Sequence, residues 1–121
     1  HHDISHHARQ PEKMEQHTRI NAYFATLFAS FLEKLRNSPE ADGSVLDHSL
    51  IAFGTGMSDG QAHNSYPLAL AMIGGAGGRV KGNRFLTAGE WTPVANLWLG
   101  VSSMFGLQVD TFGESTGRFE L

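Results

Sequence analysis

No cysteine occurs in the 121 residues, which excludes disulfides and thiolate metal sites while leaving both reducing and oxidising compartments open. Positive charge is not in excess either. Nine Lys and Arg stand against twelve Asp and Glu, a net charge of -3, and no basic run marks one face for a phosphate backbone. Nucleic acid is therefore not an expected partner. The longest apolar run, Pro67 to Gly78, is too short for a spanning helix, so no membrane-spanning segment is expected. The chain lacks Gly-x-Ser-x-Gly and His-Glu-x-x-His, which leaves a serine hydrolase or a metalloprotease of the best-known kinds without support. It also offers only about two convincing strands, too few for a self-sufficient sheet. That scarcity predicts a piece of a larger domain.

What is there begins with Pro11 at the first turn of a helix expected to run to about Asn37. Ile20, Phe24, Leu27, Phe28, Phe31 and Leu35 recur at three- and four-residue spacing, which predicts one buried stripe. A polar turn around Gly43 follows, and then Ser49 to Gly54, a short apolar run of the kind that forms a strand covered on both faces in a parallel sheet. The loop from Thr55 to His63 leaves that strand, at the place where sites gather in open α/β sheets. Leu68 to Ile73 reads as a second, neighbouring strand. Gly74 to Gly78 then reads as a turn: no helix starts on these glycines and no Gly-Lys-Ser/Thr follows, so a nucleotide loop is not supported. Arg79 to Leu86 reads as a turn with a short edge element. Thr92-Pro93 predicts a capped helix start, with Val94, Leu97, Trp98, Val101, Met104 and Phe105 keeping helical spacing up to Gly106. Asp110 to Leu121 has no periodicity and is expected to pack as coil.

The chemistry concentrates at the start. His1-His-Asp-Ile-Ser-His-His7 places four imidazoles and a carboxylate in seven positions, and these are the ligand types of zinc and similar ions. Asp3 and His7 are four apart, as are His2 and His6, so either pair could share one face of a helical turn. A tag remnant or a solvated surface cluster is the plain alternative. His63 ends the loop after the first strand, and Asp59 lies in Ser58-Asp-Gly60, where turn chemistry is the default. His17 and His48 read as structural.

Ser5-His-His7, Pro11-Glu-Lys13, Leu46-Asp-His-Ser49, Ala62-His63 and Phe112-Gly-Glu-Ser-Thr-Gly117, with intervening matches through essentially the whole chain, resemble the C-terminal portion of the secreted bacterial family called domain of unknown function 1552. The resemblance implies an α/β fold, part of an alkaline-phosphatase-like or sulfatase-like sandwich with a mostly parallel sheet flanked by helices. It implies that residues 1–121 form the C-terminal segment of one larger domain, whose missing N-terminal part or associated chains would be the partner. Export to the periplasm, the cell surface or the medium follows from the leaders of the relatives. In the wider superfamily one metal is held by Asp-x-x-x-His and by a later histidine, a pattern to which Asp3, His7 and His63 are similar; the resemblance thus implies a divalent ion such as zinc, manganese or calcium there. Where the superfamily places an Asp-His pair for a second metal, this chain reads Thr55-Gly-Met-Ser58. A nucleophile would lie upstream. The function so implied is metal-dependent hydrolysis of phosphate or sulfate esters at a one-metal or degenerate site, with a non-catalytic binding or structural module as the alternative.

Overall fold

Helix formation in this chain is dominated by one segment. After a single helical turn, α1 (His2–Ser5), the chain runs into α2 (Pro11–Arg36), whose proline at the first helical position has no amide to lose and whose last turn carries Lys34 and Arg36 where the helix dipole favours positive charge. Two-residue strands β1 (Pro39–Glu40) and β2 (Gly43–Ser44) make a tight antiparallel turn. The short helix α3 (Val45–His48) follows, opened by a capping box: the Ser44 hydroxyl accepts from the Asp47 amide, and the Asp47 carboxylate accepts from the Ser44 amide at 2.9 Å. Strands β3 (Ile51–Gly54) and β4 (Leu70–Ile73) come next, and α4 (Ala95–Met104) is the last regular element. The computed structural model describes all 121 residues and divides them into two compact units, His1–Ala76 and Gly77–Leu121.

The alkaline-phosphatase-like α/β sandwich with a mostly parallel sheet is not the fold of this chain. Its strands form two separate two-stranded sheets, both antiparallel, beside four helices. A parallel pair needs a crossover of a dozen or more residues, usually a helix on one face. The segment between β3 and β4 instead folds back on itself, with a bridge between Asp59 and Asn64, and returns the chain so that Ile51 pairs with Ile73 and Gly54 with Leu70. The two apolar runs are neighbours, as their composition predicts, but in the opposite sense.

Two further expectations change. The stripe on α2 is not buried: the helix has no buried residue, Phe24, Leu27 and Phe31 are 51%, 48% and 47% exposed, and Ile20, Phe28 and Leu35 are half-buried. A two-stranded hairpin is narrow, and it covers this helix chiefly at Phe28, which stacks on Phe53 with ring centroids 4.2 Å apart. Helix α4 starts at Ala95, with Val94 as a cap that offers no side-chain hydrogen bond; before it the Thr92 amide donates to the Gly89 carbonyl in one turn, and the Asn96 amide to the Pro93 carbonyl in the next. No strand forms over Arg79 to Leu86.

Burial is sparse. In the first unit Ala76 is fully buried, held where its amide donates to the Ser49 carbonyl; in the second Leu99 is 2% exposed. Gly74 has φ +112°, and a Cβ there would collide with the Ser49 carbonyl oxygen, so the glycine turn after β4 lets backbone pass against backbone. No helix of the structure is long and apolar enough to cross a membrane.

Candidate metal centre

The seven N-terminal residues form a turn that displays rings. Ser5 and His6 amides donate to the His1 and His2 carbonyls at 2.9 and 3.1 Å, which closes α1, and the Ser5 hydroxyl donates to the His2 carbonyl at 2.8 Å. The chain then turns sharply through Ala8 and Arg9, both with positive φ, to enter α2. Asp3 is drawn to the helix by Lys13, whose Nζ lies 3.2 Å from Asp3 Oδ1, with the carboxylate 86% exposed. An exposed pair of this kind contributes little stability, but it directs the carboxylate toward α2.

The opposing segment is the loop after β3. Asp59 Oδ1 accepts from the amides of Gln61 and Ala62 at 2.8 and 3.2 Å, an Asx turn, and the Asp59 and Asn64 backbones exchange hydrogen bonds at 3.1 Å in both directions. The result is a tight loop that presents His63 at its rim, at φ +52° and exposed. Loop and N-terminal turn meet at three points. A Cβ on Gly60 would stand 3.4 Å from the Ser5 Cβ, Gln61 Oε1 accepts from the Ala8 amide at 2.6 Å, and His63 Nε2 lies 3.1 Å from His6 Nε2.

The third point carries the chemistry. The His6 and His63 ring centroids are 4.9 Å apart while their Nε2 atoms are 3.1 Å apart, so the rings splay away from each other and converge at the nitrogens. An ion about 2.0–2.1 Å from both atoms, the usual zinc–imidazole distance, would see them at an angle of about 98°. The spacing therefore suits adjacent ligands of one ion. In the metal-free pair, one ring donates its N–H and the other accepts with its lone pair, so a tautomer choice is built into the contact.

The three residues singled out by the Asp-x-x-x-His likeness fall differently. Asp3 turns to Lys13; the Nδ1 atom of His7 accepts from the Arg9 amide at 3.1 Å, and the His7 ring faces that of His17 at 6.5 Å; His63 meets the ring next door, His6. Among His, Asp, Glu and Cys there is no group of three or more placed to hold a metal ion as the side chains stand. His6 was within reach of sequence reasoning through its spacing from His2, but nothing local distinguishes it from His7. That choice is made by the loop, 57 residues away in sequence. Gln61, which ties the loop to Ala8, carries no motif that would mark it.

His1, His17 and His48 make other contacts. His17 stands 5.3 Å from His1 in an edge contact, and His48 Nε2 sits 3.2 Å from Asp42 Oδ1, at ion-pair distance but without hydrogen-bond alignment. Thr55 to Ser58 contribute a turn in which the Met57 amide donates to Thr55 Oγ1 at 3.3 Å, and no carboxylate or imidazole stands among them. Compared with protein-family models, curated proteins and solved structures, the chain matches none.

Proposed function

We propose that this protein binds a divalent transition-metal ion through His6 and His63, and that the site serves metal-dependent hydrolysis of phosphate or sulfate esters in an exported bacterial protein of the kind its sequence resembles. The observation that carries the metal reading is the convergence of the two Nε2 atoms at 3.1 Å. Imidazole nitrogen favours zinc and its neighbours over calcium, which takes oxygen ligands, so zinc is the ion to test first. Such an ion supplies Lewis-acid polarisation of an ester oxygen and lowers the pKa of a bound water. The chain's own contribution is to bring two imidazoles together, through the Asp59 turn and the Gln61 tie.

The test is zinc titration of the full chain by calorimetry, beside His63→Ala, with hydrolysis of aryl phosphate and aryl sulfate followed before and after chelation. Binding lost in His63→Ala, with hydrolysis lost on chelation, is the expected result. Equal zinc binding in the two proteins ends the proposal. A second reading, a non-catalytic binding module, draws on the exposed aromatic face of α2; it gains if zinc binds but chelation changes no hydrolysis. Fractionation that finds the product only in the cytoplasm would overturn the export part.

A further inference from the structure

We infer that His2 completes the site as a third nitrogen ligand, giving an open three-imidazole centre whose remaining position takes water or one oxygen of a small anion. The inference rests on the metal reading of His6 and His63. Two imidazoles fill half of a tetrahedral shell, and the identity of the next donor decides whether the centre is a weak surface chelate or a site with one exchangeable position.

The neighbours can be compared by what already occupies their lone pairs. Asp3 is engaged by Lys13 Nζ at 3.2 Å through Oδ1, and the Lys13 Nζ also lies 3.4 Å from the Asp3 carbonyl. His7 accepts from the Arg9 amide through Nδ1 and turns its ring toward His17. Asp59 Oδ1 serves two loop amides, and Gln61 Oε1 serves the Ala8 amide. Moving any of these to an ion breaks a bond that shapes the site. His2 is different: its side chain is exposed, and its ring contact is with His6 itself, at a centroid distance of 4.5 Å and an interplanar angle of 64°.

Geometry agrees. His2 opens α1 and His6 caps its end four residues on, and the His6 amide donates to the His2 carbonyl, so both rings leave the same short turn. Their ring spacing, 4.5 Å, is close to the 4.9 Å of His6 and His63, whose nitrogens already converge. Bringing the His2 nitrogen to the same point takes rotation about its side-chain torsions, a motion open to an exposed residue on the picosecond to nanosecond scale. Two ligands from one turn and a third from a distant loop would leave one tetrahedral position free, as in zinc sites that exchange water for substrate. Phosphate, sulfate and carboxylate share the oxygen chemistry that would fit there.

The experiment uses the full chain and zinc alone, with affinity and stoichiometry from calorimetry, and copper(II) electron paramagnetic resonance to count coupled nitrogens. The wild type should bind one ion per chain with three equivalent-class nitrogens. His2→Ala, His6→Ala and His63→Ala should each weaken binding by at least about a hundredfold, since even outer partners of metal ligands cost about tenfold to a hundredfold. Asp3→Asn and His7→Ala should stay within about threefold of wild type. Circular dichroism of each variant checks that the fold is kept, and His2→Gln, which keeps length without an imidazole, should behave as His2→Ala. If His2→Ala binds as wild type while His63→Ala does not, the inference fails and the two-ligand reading survives. If wild type binds no zinc, both fail. Half an ion per chain, with dimer formed on adding zinc, also overturns the inference, because the shell would then be filled by a second copy.

Discussion

The histidine-bearing loop of the first unit and the helix–tail junction of the second solve one problem in different ways. Each holds together segments distant in sequence with few apolar contacts. In the second unit the fastening is buried: Asn96, 7% exposed, accepts from the Thr116 amide at 2.8 Å through Oδ1, donates to Thr116 Oγ1 at 3.1 Å, and accepts the Phe119 amide at its own carbonyl at 3.0 Å. Leu99 lies beside it in the helix, and Gly100 lets the Phe119 carbonyl approach so closely that a Cβ would collide with it. In the first unit the fastening is exposed: the Ala8 amide donates to Gln61 Oε1, and the His6 and His63 rings meet at their Nε2 atoms. A polar bond removed from water has no substitute when it is lost, whereas an exposed one is replaced by solvent. The helix–tail junction is thus built for stability, and the loop for adjustment.

That contrast can be broken in order of expected effect. Gly100→Val should be the most damaging change, destabilising the second unit by about 3 kcal/mol through overpacking against Phe119, read by chemical denaturation; an unchanged midpoint would mean the tail is not locked to α4. Asn96→Ala should cost about 1–3 kcal/mol, because it strands the Thr116 amide and hydroxyl, and Asn96→Asp should restore part of this by keeping the Oδ1 acceptor. Gln61→Ala should cost less stability, about 0.5–1.5 kcal/mol. It should nevertheless weaken zinc binding by about tenfold, since it frees the loop that presents His63. A variant with lower stability and unaltered zinc affinity would show that the loop needs no tie.

The smallest effect concerns acid. The Ser44 hydroxyl and amide hydrogen-bond to the Asp47 carboxylate and hold it below its ordinary value of 3.8, outweighing desolvation, with lesser help from the charges of His48 and Arg36. A carboxyl whose folded pKa is depressed contributes stability that is full above its unfolded pKa, about 3.9, and is lost as pH falls through the folded value. Acid titration of wild type and Asp47→Asn should therefore diverge above pH 4 and converge below it. Parallel curves throughout would remove the capping box from the stability of α3.

Much of the secondary structure was legible, and the reasons for the rest are specific. The start of α2 at Pro11 and its end near Asn37 follow from local rules that act within one turn. The strand runs were legible as apolar segments, but an apolar run carries no sign of direction. The sense of the β3–β4 pair was decided by the Asp59 turn and its bridge to Asn64, whose sequence, Ser-Asp-Gly, said only that the chain bends. The stripe on α2 was legible as a period and misleading as burial, because periodicity reports which residues share a face and not whether anything covers that face. At the site, imidazole density marked the N-terminal turn, and His63 stood out at the end of its loop. The partner of His63 was a tertiary choice between adjacent rings, made by Gly60 against Ser5 and Gln61 against Ala8, and no local pattern encodes it.

The glycine run after β4 has a consequence for how this sequence can drift. Gly74 sits at φ +112° with the Ser49 carbonyl where any side chain would begin, while Gly78, at φ +81°, has nothing within 4 Å of such an atom and Gly82 has open space with an ordinary backbone. Three glycines that look alike on paper are therefore under three different kinds of restraint. Position 74 is closed by both space and torsion, 78 by torsion alone, and 82 by neither. Saturation mutagenesis would recover that order as a gradient of tolerance: glycine only at 74, glycine with asparagine and aspartate at 78, and most residues at 82. What resembles a ligand-binding loop is, at its first residue, a place where selection acts on the absence of an atom.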